Sequence, residues 1–309
     1  MRACLVSLVA VLVLAVAGPA AAAAPTQVPD STLPGEAAFL GPVWQVKANG
    51  IRIGYRQFGH GPDLVLVTGD TAPMSLWTPY LLRPLAEHFR VTIFDNRGVG
   101  YTSDDPSVPL SVPLMARDTA ALIDALHLRR PTIAGWSMGG EIAITMAALH
   151  IGRIGRIVTS GGDAGSRHTI PPPPGLIDSL ADPNNYSAAL ALMFPATPTG
   201  QAAQQRFVAS YLAVPQEQVS PTTLARQAKA EKAFLKTDRV WNRLGRIRVP
   251  ALITNGALDP GVPVANARRL ARKIPGARLS IYAGASHGMM FQDAERFAAE
   301  VARFARSRR

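Results

Sequence analysis

Short, almost wholly apolar runs recur along this chain, each followed by a segment with helical spacing. The run LVLVT at 64–68 is the clearest. A strand without polar alternation is one covered on both faces. The spacing predicts further strands over 90–95, 131–136, 154–160, 250–255 and 278–283. It predicts helices near 75–89, 114–128, 138–150, 264–274 and 292–306. Strands alternating with helices demand right-handed crossovers, and hence a mostly parallel, doubly wound sheet with helices on both faces. Ahead of this, VWQVKANGIRIGYRQFG reads as two antiparallel edge strands, because Asn49-Gly50 suits a type I′ hairpin turn.

One block breaks the rhythm. Between 161 and 249 no strand is evident. The block holds the proline run 171–174, the turn-like DPNN at 182–185, and helical patterns over 188–194, 199–211 and 222–235. A proline run cannot continue a helix and holds the chain extended. The expectation is a core from 43–163 and 246–309, with 164–245 inserted as a helical cap over the C-terminal strand ends. The Pro-rich stretch 25–42 has no periodicity and reads as a linker. Residues 1–24 carry Arg2, an apolar Leu/Val/Ala run and small residues at Ala22–Ala24, the layout of a secretory signal peptide. The run falls short of the about 20 residues of a spanning helix. A secreted, periplasmic or cell-envelope protein follows, with no stable membrane insertion after signal removal; an uncleaved anchor is the alternative. The single cysteine, Cys4, lies inside this segment, so the mature chain would carry no disulfide.

The 309 residues carry a formal net charge of +11. The basic residues are mostly arginines scattered through the second half, Arg268, Arg269, Arg272 and Lys273 among them, with no aromatic-interleaved stripe. A solvated surface is the reading, and nucleic acid is not an expected partner. Neither clustered metal-ligand spacing nor a Gly-rich dinucleotide turn is present, so no metal or organic cofactor is expected.

The chemistry-bearing stretch is TIAGWSMGG at 132–140. Gly135-Trp136-Ser137-Met138-Gly139 falls where a strand gives way to a helix. A turn that sharp strains the serine backbone and needs glycine on either side, and it lifts the hydroxyl clear of the sheet. The helix starting at Met138 aims its free N–H groups at the same place. The plainer alternative is a helix-capping serine. A serine nucleophile needs a base and an orienting acid. Of six histidines, His60, His88, His127, His150 and His168 read as surface or packing residues. His287, in YAGASHGMM, follows the last strand on a Gly-rich loop at the edge where open α/β sheets place their sites. Asp259, in NGALDPGVP, is the first choice for the acid. Asp163, in SGGDAG, is the alternative acid, and Asp95 reads as a loop lock.

These motifs give the order Ser137, Asp259, His287, and with DNRGVGYTS at 95–103 the chain resembles the α/β-hydrolase superfamily, of the serine esterase or lipase-like, capped kind. The resemblance runs from about Trp44 to the C-terminus. It implies an oxyanion hole formed by the backbone N–H groups of Asp70 and Met138. The usual His-Gly is here Thr68-Gly69, and a carboxylate at Asp70 is unfavourable beside a developing anion unless it turns away. The implied activity is a serine hydrolase cleaving small or medium apolar carboxylic esters through an acyl-enzyme, with a small ester-like molecule as partner. Lactonase, acyltransferase, C–C hydrolase and cofactor-free perhydrolase are alternatives on the same fold, and a ligand-binding protein is the non-enzyme alternative. Met193, Phe194, Phe207 and Tyr211 of the insertion are candidates either for a substrate pocket or for packing the cap onto the body.

Overall fold

The computed structural model describes residues 24–180 and 185–307. The expected signal segment therefore lies almost wholly outside the described residues. A nine-stranded sheet runs through the molecule. Its strands are β1 (Thr26–Gln27), β2 (Trp44–Ala48), β3 (Ile51–Gly59), β4 (Asp63–Val67), β5 (Arg90–Phe94), β6 (Thr132–Trp136), β7 (Arg156–Ser160), β8 (Ala251–Gly256) and β9 (Arg278–Tyr282). The spatial order is β1-β2-β3-β5-β4-β6-β7-β8-β9. β1 to β3 are antiparallel to their neighbours, and β5, β4 and β6 to β9 run parallel. Asn49 and Gly50 take φ of 46° and 79°, the left-handed pair that a type I′ turn needs.

Helices cover both faces. On one lie α1 (Pro79–Ala86), α9 (Met289–Gln292) and α10 (Ala294–Arg306), which bury Leu81, Leu85, Phe291, Phe297 and Val301. On the other lie α2 (Val112–Ala125), α3 (Met138–Leu149) and α8 (Val264–Lys273), which bury Leu122, Ile123, Ile142, Met146 and Leu270. The first helix is shorter than its pattern predicts. Thr78 precedes Pro79 and sits extended at ψ 152°, so a 3-10 turn at Met74–Leu76 stands apart from α1.

The segment 25–42, expected as a linker, needs correction. It contributes β1, which pairs with β2, and a 3-10 turn at Gly35–Leu40. Leu33, Ala37 and Leu40 are buried in the main core. A two-residue strand leaves no periodicity to read, and backbone pairing alone holds it.

Between β7 and β8 come α4 (Leu176–Leu180), α5 (Tyr186–Met193), α6 (Pro198–Leu212) and α7 (Pro221–Phe234). Thr197 and Ser220 cap α6 and α7, each accepting a hydrogen bond from the third residue on, and a proline follows each cap. The helices sit on the body through Tyr80 N–H donating to Ser210, Thr223 Oγ1 donating to the Gly98 carbonyl, and an Arg226–Asp104 ion pair at 3.2 Å. Met193, Phe194 and Phe207 are buried in the main core, with Phe207 at 5.1 Å from Phe291. Of the two roles open to them, packing is the one observed.

Chain order reverses between β4 and β6. β4 leads outward to β5 on one side, and the chain then returns to β6 on the other. That crevice, at the C-terminal strand ends, is where such sheets hold ligands. The loop after β5 is locked beside it. Asp95 accepts hydrogen bonds from Met74 N–H and Tyr101 N–H at 2.7 and 2.9 Å, and burial pushes its carboxyl up to about 8. Arg97 pairs with Asp118 of α2, through Nη2 at 2.6 Å and Nε at 2.8 Å, both residues being buried. Removing one partner strands the other charge. Asp118→Ala should lower the unfolding free energy by about 3–5 kcal/mol, read as a fall in the urea midpoint. An unchanged midpoint would show that Arg97 finds solvent.

Candidate active site

Ser137 stands between β6 and α3 with φ 55° and ψ −125°, a sparsely populated conformation for a residue with a side chain. The crossing of strand and helix explains the strain. A Cβ at Gly135 would collide with the carbonyl of Gly139, and one at Gly139 with the carbonyl of Val67 at the end of β4. Only glycine lets the helix pass that close. The serine side chain accepts no capping hydrogen bond from α3, so the capping alternative does not hold.

His287 and Asp259 meet. Nδ1 of His287 lies 2.8 Å from Oδ2 of Asp259, and both side chains are buried. Three further donors fix the carboxylate: Gly261 N–H and Val262 N–H at 2.9 Å each on Oδ1, and Asn255 Nδ2 at 3.3 Å on Oδ2. Asp163, the alternative acid, is committed elsewhere, its Oδ1 accepting from Gly165 N–H at 2.6 Å.

Ser137 and His287 share neighbours. Trp136, next to the serine, donates from Nε1 to the His287 carbonyl at 2.9 Å, with ring centroids 5.2 Å apart. Ser137 N–H bonds to the Ser160 carbonyl, and a Cβ on the following Gly161 would lie 3.0 Å from the His287 ring. No direct hydrogen bond joins Ser137 Oγ to His287. In unliganded sites such bonds are often long and tighten with substrate.

The loop after β4 closes the other side. A Cβ at Gly69 would lie 3.1 Å from Ser137 Cβ. Met138 N–H, at the first helical position, has no intrahelical acceptor. Asp70 N–H has no backbone acceptor among the described residues. Thr71 N–H donates to Oε1 of the fully buried Gln227 on α7 at 2.7 Å. α7 thus holds the loop directly. α5 reaches the histidine: Ser286 Oγ and His287 N–H donate to the Leu192 carbonyl, and Gly288 N–H to that of Met193.

Behind the loop four carboxyls gather. Asp70 and Glu231 are half-buried, Glu141 and Asp163 buried. Burial raises all four. Asp70 and Asp163 are pushed up to about 6 and Glu231 to about 8; Glu141 is held well above its usual range, with Asp163, Glu231 and Asp70 adding repulsion. The Asp70 charge thus bears on Glu141 and Glu231, and its Oδ1 is buried without a partner.

Asn255, Trp136, Gln227, Glu141 and Glu231 were not singled out by sequence. Asn255 opens the stretch NGALDP and Trp136 lies inside Gly135–Gly139, so both sat within visible signals; the other three read as ordinary helix residues.

A sequence profile of the family described as alpha/beta hydrolase fold matches residues 62–294. The chain belongs to that family. A non-heme chloroperoxidase of Streptomyces lividans is 30% identical over 264 residues, covering 79% of this chain and 92% of that one. A pimeloyl-(acyl-carrier protein) methyl ester esterase of Vibrio cholerae is 27% identical over 255 residues, covering 80% and 95%. The solved enol-lactonase of Burkholderia xenovorans LB400 superposes with a TM-score of 0.69 at 26% identity, covering 85% of this chain and 100% of that one. Relatives named as hydrolases on this fold support an enzyme here.

The carboxyl cluster sets a pH dependence. Each group titrates higher folded than unfolded, so the stability is whole below about pH 4. It is lost as pH rises through 6 towards 8. Calorimetry should give a higher Tm at acid pH than at alkaline pH, and Glu231→Gln should flatten the slope. A Tm that climbs with pH would contradict this.

Proposed function

We propose that the protein is a serine hydrolase that cleaves small or medium carboxylic esters through an acyl-enzyme. The observation that carries this is an uncommitted, strained Ser137 hydroxyl sharing a wall with an imidazole whose far nitrogen is already held by Asp259. His287 Nε2 takes the Ser137 proton as Oγ attacks the ester carbonyl carbon. Asp259, fixed by three donors, keeps the proton on Nδ1 and stabilises the imidazolium. The N–H groups of Asp70 and Met138 hold the oxyanion. The imidazolium protonates the leaving alkoxide. Water, deprotonated by the same imidazole, then releases the acid and frees the serine.

The crowding of α5 against the histidine loop favours a short acyl group, because His287 is only 3% exposed. A lactone is a second reading. It is a cyclic ester needing the same steps, and the likeness to an enol-lactonase favours it. An exported location, drawn from the 1–24 segment, completes the proposal.

Ser137→Ala should cut turnover of short p-nitrophenyl esters by at least about 10³-fold. It should also abolish labelling by a fluorophosphonate probe; an alanine variant as fast as the parent removes the assignment. Gln227→Ala should lower kcat by about tenfold with KM little changed, less than the loss of an oxyanion donor outright. A change in KM alone would mean that Gln227 serves the cap and not the loop.

A further inference from the structure

The scattered arginines of the sequence converge in space. Arg167, His168, Trp241, Arg269, Arg272 and Lys273 line an open cavity of about 490 Å³. Three separate segments build it. Arg167 and His168 lie where the chain leaves β7 for the insertion. Trp241 opens the 3-10 turn Trp241–Arg246, where the chain comes back towards β8. The remaining three are on α8, at positions i, i+3 and i+4 of one helical face.

His168, Trp241 and Arg269 are held by contacts within the chain. The Trp241 indole stacks on the His168 ring at 5.0 Å between centroids and 20° between planes, and Lys273 Nζ lies 5.1 Å from its centre. Arg269 Nη1 donates to the His168 carbonyl. The buried Asn266 side chain exchanges two hydrogen bonds with the Ile170 backbone, at 2.8 and 2.9 Å, and clamps the start of the insertion to α8.

The charge is one-sided. Asp238 pairs with Arg167 at 3.1 Å. Among the described residues no ion pair involves Arg269, Arg272 or Lys273. Cations in the last turn of a helix complement its dipole, which accounts for Arg272 and Lys273 singly. It accounts for neither Arg167 on another segment nor the convergence of all four around one volume.

We infer that this cavity is a site for phosphate groups, those of a soluble diphosphate or of phospholipid headgroups, seated where the insertion joins the core. Guanidinium forks match phosphate oxygens bidentately, and the lysine adds a point charge. Three cations outside any ion pair among the described residues, around an open mouth, suit a diphosphate or adjoining phospholipid headgroups.

The test uses the purified protein at about 0.15 M salt, where long-range attraction is screened. Sodium pyrophosphate is titrated by calorimetry, and phosphatidylglycerol vesicles are sedimented with the protein beside phosphatidylcholine vesicles. Arg272→Ala/Lys273→Ala should weaken binding by about tenfold, and the charge-matched Arg303→Ala/Arg306→Ala on α10 should leave it unchanged. Ester turnover should be the same in both doubles. Selective loss of pyrophosphate binding supports a soluble ligand. Selective loss of binding to anionic vesicles, without pyrophosphate binding, supports a lipid headgroup in the same site. Binding in neither arm, or equal loss in both doubles, overturns the site.

Discussion

The crossing of α3 against the ends of β4 and β6 is the contact on which the rest depends. Gly135 and Gly139 let backbone meet backbone there, with Gly139 against the Val67 carbonyl. That approach forces Ser137 to a positive φ, leaves the first N–H of the helix free, and sets Gly69 against the serine. A side chain at either glycine would push the helix off the sheet. Nucleophile position, helix N-terminus and β4 loop are thus one packing event.

Around that crossing, polar groups are spent on position rather than on stability. Asp259 receives three donors besides the imidazole. Trp136 gives the one donor of its side chain to the backbone at His287. Against these stand four carboxyls crowded behind the β4 loop, with Asp70 Oδ1, Glu141 Oε2 and Gln227 Nε2 lacking partners among the described residues. Buried acids of this kind cost stability whenever they ionise. The cost falls where α7 grips the loop through Gln227, so order in that loop and the ionisation of its surroundings are physically joined.

What could be read from sequence was whatever depends on local pattern. Apolar runs marked the parallel strands, Asn49-Gly50 the hairpin, and Gly135 to Gly139 the elbow. Asp259 precedes His287 by one βα unit, and it is Asp259, not Asp163, that meets the imidazole. Features set by distant partners were invisible. β1 is two residues held by pairing with β2, and the partner of Arg97 is 21 residues on. Gln227 gains its meaning from a backbone N–H 156 residues away. Arg269, Arg272 and Lys273 read as solvated surface, and Arg272 and Lys273 are exposed; that Arg167 and Trp241 lie beside them is set by segments far off in sequence.

The bond from Trp136 to the His287 carbonyl spans 151 residues. Loops of that length close slowly, and non-local pairings of this sort mark high contact order. The serine bend can form early, inside one βα unit, but its imidazole arrives only when the final strand docks beside β8. A chain still emerging from the ribosome carries the hydroxyl with no base to activate it, and chemical competence coincides with topological completion.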